Sequence, residues 1–208
     1  YEYSTPEGLR TEFSWTADEV TRAHKWGAAS QELTMEMHEV IGHGSGRMAE
    51  SLPMAPHLLL KEHYSAIEEA RADLVALYFL PDPVLVELGL VAAADHAELV
   101  RTEYEYYART ALVQLRRVRE GTHIEEDHMR NRQLIVHWLM AHTSSIDVWR
   151  RDGKTYYVLT DVDAFRDGIG RLLAEVQRIK SEADYDAART LIETYGVHFD
   201  QVLRDEVL

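Results

Sequence analysis

Apolar residues recur at three- and four-residue steps over most of this chain, the spacing that keeps them on one face of an α-helix. Over 58–80 the positions Ile67, Ala70, Leu74 and Leu77 form such a stripe. Pro81-Asp-Pro83 ends it, because proline lacks the N–H that a helix needs and restricts the residue before it. A long helix is predicted over 92–119 with Leu99, Tyr106, Leu112 and Leu115 inward, and another over 125–141 after Gly121-Thr122. Upstream, Thr16-Ala-Asp-Glu19 has the spacing of a capping box and few breakers follow before Gly42, so one helix should run through positions 38 and 39. Gly44-Ser-Gly46 should stop it, and Pro53 and Pro56 mark a loop. The period changes over 146–159, where two β-prone runs flank Asp152-Gly153, a pair suited to a type I′ turn. Helices over 163–180 and 183–195 close the pattern, with Gly196 as the expected C-terminal cap. The expected fold is mainly α, with one small β-hairpin near 146–159.

Composition narrows the function classes. With 208 residues, 46% of them hydrophobic, the chain can bury one sizeable core, and a single domain over 1–208 is expected. Lys and Arg number 22 against 36 Asp and Glu, and a net charge of -14 repels nucleic-acid phosphates and anionic lipid headgroups, so neither is an expected partner. No apolar run approaches the roughly 20 residues that span a bilayer. No basic-then-apolar leader opens the chain, although it begins at Tyr1 rather than Met. The absence of cysteine removes disulfides, thiolate nucleophiles and Cys-type zinc sites, and it fits a reducing compartment, the cytoplasm. Any metal must bind through histidine and carboxylate.

His38-Glu39-Val-Ile-Gly42-His43 resembles the H-E-x-x-H of zinc peptidases with one residue too many. At about 100° per residue, histidines four apart diverge by about 40° around a helix, whereas these two would diverge by about 140°. Both can face one metal only if the helix widens into a π-type turn, and Gly42 is the residue best suited to the distortion. His123/His128 and His137/His142 share the separation of five, so spacing alone means little among 11 histidines. Neither pair has a glutamate directly after its first histidine. A catalytic zinc needs a third protein ligand, and Glu68-Glu69-Ala-Arg71-Ala-Asp73 supplies candidates. Glu69 and Asp73 share a helix face, so one can ligate while the other accepts the free N–H of a bound imidazole. Arg71 is expected to pair with a nearby carboxylate.

HEVIGHGSG from His38 to Gly46 and EEARAD from Glu68 to Asp73 together resemble the paired signature of the dipeptidyl peptidase III family, its bacterial branch in particular. The likeness continues through Glu126-Asp-His-Met-Arg-Asn-Arg132, Gln177-Arg-Ile-Lys-Ser181 and Glu193-Thr-Tyr-Gly196. The resemblance implies that His38, His43 and Glu69 bind Zn2+ and that Glu39 is the general base, with Glu68 and Asp73 as supporting carboxylates. It further implies that His128 lies near the scissile bond and that Arg132 contacts substrate. The implied activity is release of dipeptides from the N-terminus of short peptides. Members are two-lobed, with the peptide cleft between a helical zinc lobe and a β-containing lobe, and this chain resembles the zinc lobe alone. A second lobe of the same protein is then an implied partner, and the rival expectation is a zinc-holding lobe or scaffold without turnover of its own.

Overall fold

The structure, a computed structural model, describes residues 13–118 and 121–208. Helix α1 spans Ala17–Met37. It starts where the capping signal lies: Thr16 Oγ1 accepts from the Glu19 N–H at 3.2 Å, and the Glu19 carboxylate accepts from the Trp15 N–H at 2.9 Å. At its far end the backbone widens into a π-helical turn, His38–Gly42, closed by the His43 N–H to the His38 carbonyl at 3.0 Å. This is the one-residue insertion that the motif spacing demands. The chain then turns away through Gly46, whose φ of 92° suits glycine.

The helix expected over 58–80 is divided. Pro56 occupies the first turn of α2 (Pro56–Leu60), where a missing N–H costs nothing. A 3-10 turn, Lys61–His63, then leads into α3 (Tyr64–Phe79). Lys61 takes φ 51° at the break. The break has a packing cause: α3 runs through the core, while α2 lies across two helices from the C-terminal part of the chain, directions that one straight rod cannot serve.

A short α4 (Val84–Glu87), not foreseen in the sequence, follows Pro83. Helix α5 (His96–Val113) continues as a 3-10 turn to Arg117, and position 119 of the expected helix lies outside the described residues. Leu99, Leu112 and Leu115 are buried as expected, but Tyr104 and Tyr107 take the inward places expected of Tyr106, which is half-buried. Helix α6 (Asp127–His142) is capped by the Glu126 carboxylate, which accepts from the N–H groups of His128 and Met129. The hairpin pairs β1 (Ile146–Arg151) with β2 (Lys154–Leu159) in antiparallel register Arg151↔Lys154. Asp152 and Gly153 both have positive φ, 53° and 77°, the type I′ geometry.

Helix α7 (Val162–Glu182) begins at an Asp161 cap. It is followed by α8 (Tyr185–Ile192), a second π-helical turn Glu193–Val197, and α9 (Gln201–Val207). Gly196 is therefore not a left-handed cap. It sits within the π turn, where an added Cβ would stand 3.1 Å from the Arg130 carbonyl of α6, so close backbone approach explains the glycine.

The fold is mainly α with a two-stranded sheet. Its core centres on α3, where Ala66, Ile67, Ala70, Leu74, Ala76 and Leu77 are essentially solvent-free. The π turn of α1, α6 and α7 all pack on this helix, and its alanines let them approach. Among the described residues, no helix is long and apolar enough to cross a membrane.

Candidate metal centre

The close approach of α1 and α3 builds the centre. An added Cβ on Gly42 would stand 2.9 Å from the Cα and carbonyl oxygen of Ala72. Gly42 thus serves contact between the helices rather than an unusual φ, which corrects the role read from the sequence. With the π turn in place, the His38 and His43 rings meet edge to face, their centroids 4.7 Å apart at 86°.

Helix α3 brings its carboxylates beneath these rings. Glu69 Oε2 stands 3.2 Å from His38 Nε2 and 3.8 Å from His43 Nε2, while His128 Nδ1, from α6, is 3.4 Å away. The other ring nitrogens are tethered: His38 Nδ1–H donates to Asp73 Oδ1 at 2.6 Å, and His43 Nδ1–H to Glu68 Oε1 at 3.1 Å. Each tether turns an Nε2 toward Glu69.

The two supporting carboxylates are themselves held. Tyr107 donates to Asp73 Oδ2 at 2.7 Å. Glu68 receives the Arg71 guanidinium at both oxygens, 3.1 and 2.9 Å, and pairs with Lys180 of α7. Arg71 is fully buried and also donates to the Gly42 carbonyl at 2.5 Å and to Ser45 Oγ at 3.2 Å, fastening the π turn to α3. The expected pairing of Arg71 is with Glu68, three residues back.

The charge states follow from these contacts. Burial opposes ionisation of Glu68, but Arg71, Lys180 and His43 outweigh it and bring its pKa down to about 2. Burial also opposes a charge on His38, yet the Asp73 and Glu69 carboxylates raise its pKa to about 10. Asp73 is held below the ordinary carboxylate range, its desolvation overcome by His38, Arg132 and Tyr107. The His38 ring is the main cause of the lowered Glu69 value.

His38, His43 and Glu69 offer three ligand atoms that all lie within 4.8 Å of one another. Two ligands about 2.0–2.1 Å from one tetrahedral ion stand roughly 3.3 Å apart, close to the 3.2 Å and 3.8 Å found here. Glu69 Oε2 is buried and has no hydrogen bond of good geometry; the His38 and His128 rings stand 3.2 and 3.4 Å from it, an arrangement that a cation held between oxygen and rings would complete. Glu68, in contrast, has its oxygens engaged by two cations and an imidazole. The residues present fit a divalent ion.

Glu39, beside His38 on the π turn, is exposed, and so is His128. Arg132, one turn beyond His128, bonds Gln114 Oε1 at 3.1 Å and lies 5.9 Å from the Tyr107 ring centroid. Sequence reasoning gave no role to Tyr107 or Lys180. Lys180 stood inside a motif already noted, whereas Tyr107, in a run of alternating tyrosine and glutamate, gave no separable signal. A groove of about 1030 Å³ lined by Tyr78, His142, Asp167 and Arg171, among others, includes none of the centre's residues.

A helical scaffold that gathers two imidazoles and a carboxylate, with an exposed glutamate beside the first histidine, has the residue set of metal-dependent peptidases. Comparison with known proteins narrows it. The model of Peptidase family M49 matches residues 55–207, and the chain belongs to that family. The match includes Glu68 to Asp73 and begins after the π turn. Mouse (Mus musculus) dipeptidyl peptidase 3 is 24% identical over an alignment of 228 positions that covers 88% of this chain and 31% of that protein. Two solved structures share the fold at 22% identity. DPP III from Caldithrix abyssi has a TM-score of 0.72 and covers 97% of this chain and 36% of its own. Dipeptidyl-peptidase III from Corallococcus sp. strain EGB has a TM-score of 0.74 and covers 97% and 34%. The chain thus spans about a third of the length of these relatives.

Proposed function

We propose that this chain is the zinc-binding lobe of a metallopeptidase that removes dipeptides from the N-terminus of short peptides. The observation that carries the reading is the convergence of the buried Glu69 Oε2 with the His38 and His43 rings, their ligand atoms all within 4.8 Å of one another. His38, His43 and Glu69 would hold Zn2+, which when bound supplies Lewis acidity to polarise a peptide carbonyl and to acidify water. Glu39, exposed on the π turn, takes the proton of the attacking water and returns it to the departing amine. Asp73 and Glu68 keep the imidazoles in the tautomer that offers Nε2. His128, exposed on the side of Glu69, donates to the oxygen that becomes negative during attack. Arg132 anchors substrate once it leaves Gln114.

A second reading is favoured by one fact, the chain's span of about a third of its relatives. In it the lobe, a single helical unit over 1–208, holds zinc but turns over no peptide until a partner lobe completes the cleft. Release of an N-terminal dipeptide from a chromogenic peptide, by the zinc-loaded chain and its Glu39→Gln variant, decides between them. Turnover that vanishes in Glu39→Gln while zinc is retained supports the first reading. Retained zinc with no turnover in either protein supports the second. Loss of zinc in Glu39→Gln would contradict the role given to Glu39.

A further inference from the structure

The second π-helical turn poses the same geometric question as the first. Glu193 and His198 are five residues apart, as His38 and His43 are, and the turn Glu193–Val197 brings them to one side of the chain. His198 Nε2 stands 3.5 Å from Glu193 Oε2, near the roughly 3.3 Å that separates two ligands of one tetrahedral ion. A third donor comes from across an antiparallel bridge, His123↔His198. The Ile124 N–H bonds the Val197 carbonyl at 2.9 Å, which places the two histidines as a closely spaced cross-strand pair. Their ring centroids are 4.7 Å apart at 64°, the same separation as at the first centre.

The backbone beneath these side chains is fixed. Gln133 Nε2 donates to the Gly196 carbonyl at 3.1 Å and to the His198 carbonyl at 2.9 Å, and Gly196 lies against the Arg130 carbonyl. Thr122 Oγ1 lies 3.1 Å from His123 Nδ1. With the proton on Nδ1 donated to that hydroxyl, His123 Nε2 keeps its lone pair, the arrangement usual for a metal-binding histidine. The ligand atoms of the three side chains do not all lie within 4.8 Å of one another as those of the first centre do, so the site closes only when the exposed His123 ring rotates toward Glu193 and His198.

We propose that His123, His198 and Glu193 form a second divalent transition-metal site, weaker than the first and open to solvent. Two imidazoles and a carboxylate suit zinc and its neighbours rather than calcium or magnesium. An ion there would tie the segment entering α6, the helix of His128 and Arg132, to the C-terminal π turn. The site does not depend on the peptidase reading.

Zinc titration of the chelator-stripped chain, read by equilibrium dialysis with elemental analysis and by histidine ring NMR, tests this. Two ions per chain are expected, the second shifting the ring signals of His123 and His198. His123→Gln/His198→Gln should take up one ion only, and His43→Gln should lose the tight ion and keep the weaker one. Uptake of a single ion by the parent chain, or persistence of the second ion in His123→Gln/His198→Gln, would overturn the proposal.

Discussion

Glu68 and Glu69 are neighbours with the same side chain in different surroundings. Glu68 faces Arg71, Lys180 and His43, whereas Glu69 Oε2 is buried among the His38, His43 and His128 rings without a hydrogen bond of good geometry. Helix spacing did not separate the two, and the family resemblance singled out Glu69; the difference in surroundings depends on where α7 places Lys180. The four-residue offset put Asp73 and Glu69 on one face as ligand and support without saying which was which, and the Tyr107 hydroxyl behind Asp73 was not legible. Asp73→Asn should keep the fold and weaken zinc binding about 10- to 100-fold, as competition with a fluorescent chelator would measure; unchanged affinity would show that the bond to His38 Nδ1 is idle. Glu103, buried on α5, offers a separate test of the interior. Burial is the main cause that raises its pKa from 4.5 to about 7, with the Asp73 charge adding and Ser30 opposing. The folded chain then holds a proton that the unfolded chain releases, so this group makes stability fall as pH rises from 4.5 to about 7. Glu103→Gln cannot ionise. Its melting temperature should exceed the parent's near pH 8 and match it near pH 4.5, and an equal difference at both pH values would contradict a neutral Glu103.

At the scale of elements, capping and spacing were legible where they are local. Thr16 starts α1, Asp152-Gly153 makes the hairpin turn, and the residue inserted between His38 and His43 becomes a π turn. The break at Lys61 and the burial of Gly196 were not, since both answer to packing partners far along the chain. Gly42 shows both sides of this. The sequence marked it as special, but its reason is the nearness of Ala72 rather than backbone freedom. Gly42→Ala forces a Cβ against the backbone of α3 and should cost about 1–3 kcal/mol, the usual range for overpacking. A shift of the denaturant midpoint with weaker zinc binding is the expected result. A variant as stable as the parent would mean that the two helices can separate freely.

For the whole molecule, the centre lies where three stretches of chain converge: the π turn after α1, the carboxylates of α3, and α6 with His128. Lys180 and Gln177 of α7 hold it from behind, through Glu68 and the Arg47 carbonyl. Periodicity gave the mainly helical class because most helices bury one clear face. It misplaced the inward tyrosines because α5 is covered by α1 on one side and by β2 and α6 on others. The chain spans about a third of its relatives' length, and His38, His43, Glu69 and the carboxylates that tether the rings all lie among the residues described here. The most direct test of that centre is anomalous scattering at the zinc edge from crystals grown without chelator. A strong peak is expected about 2.0–2.2 Å from His38 Nε2, His43 Nε2 and an oxygen of Glu69. A strong peak on Glu68, or none among these three residues, would contradict the assignment.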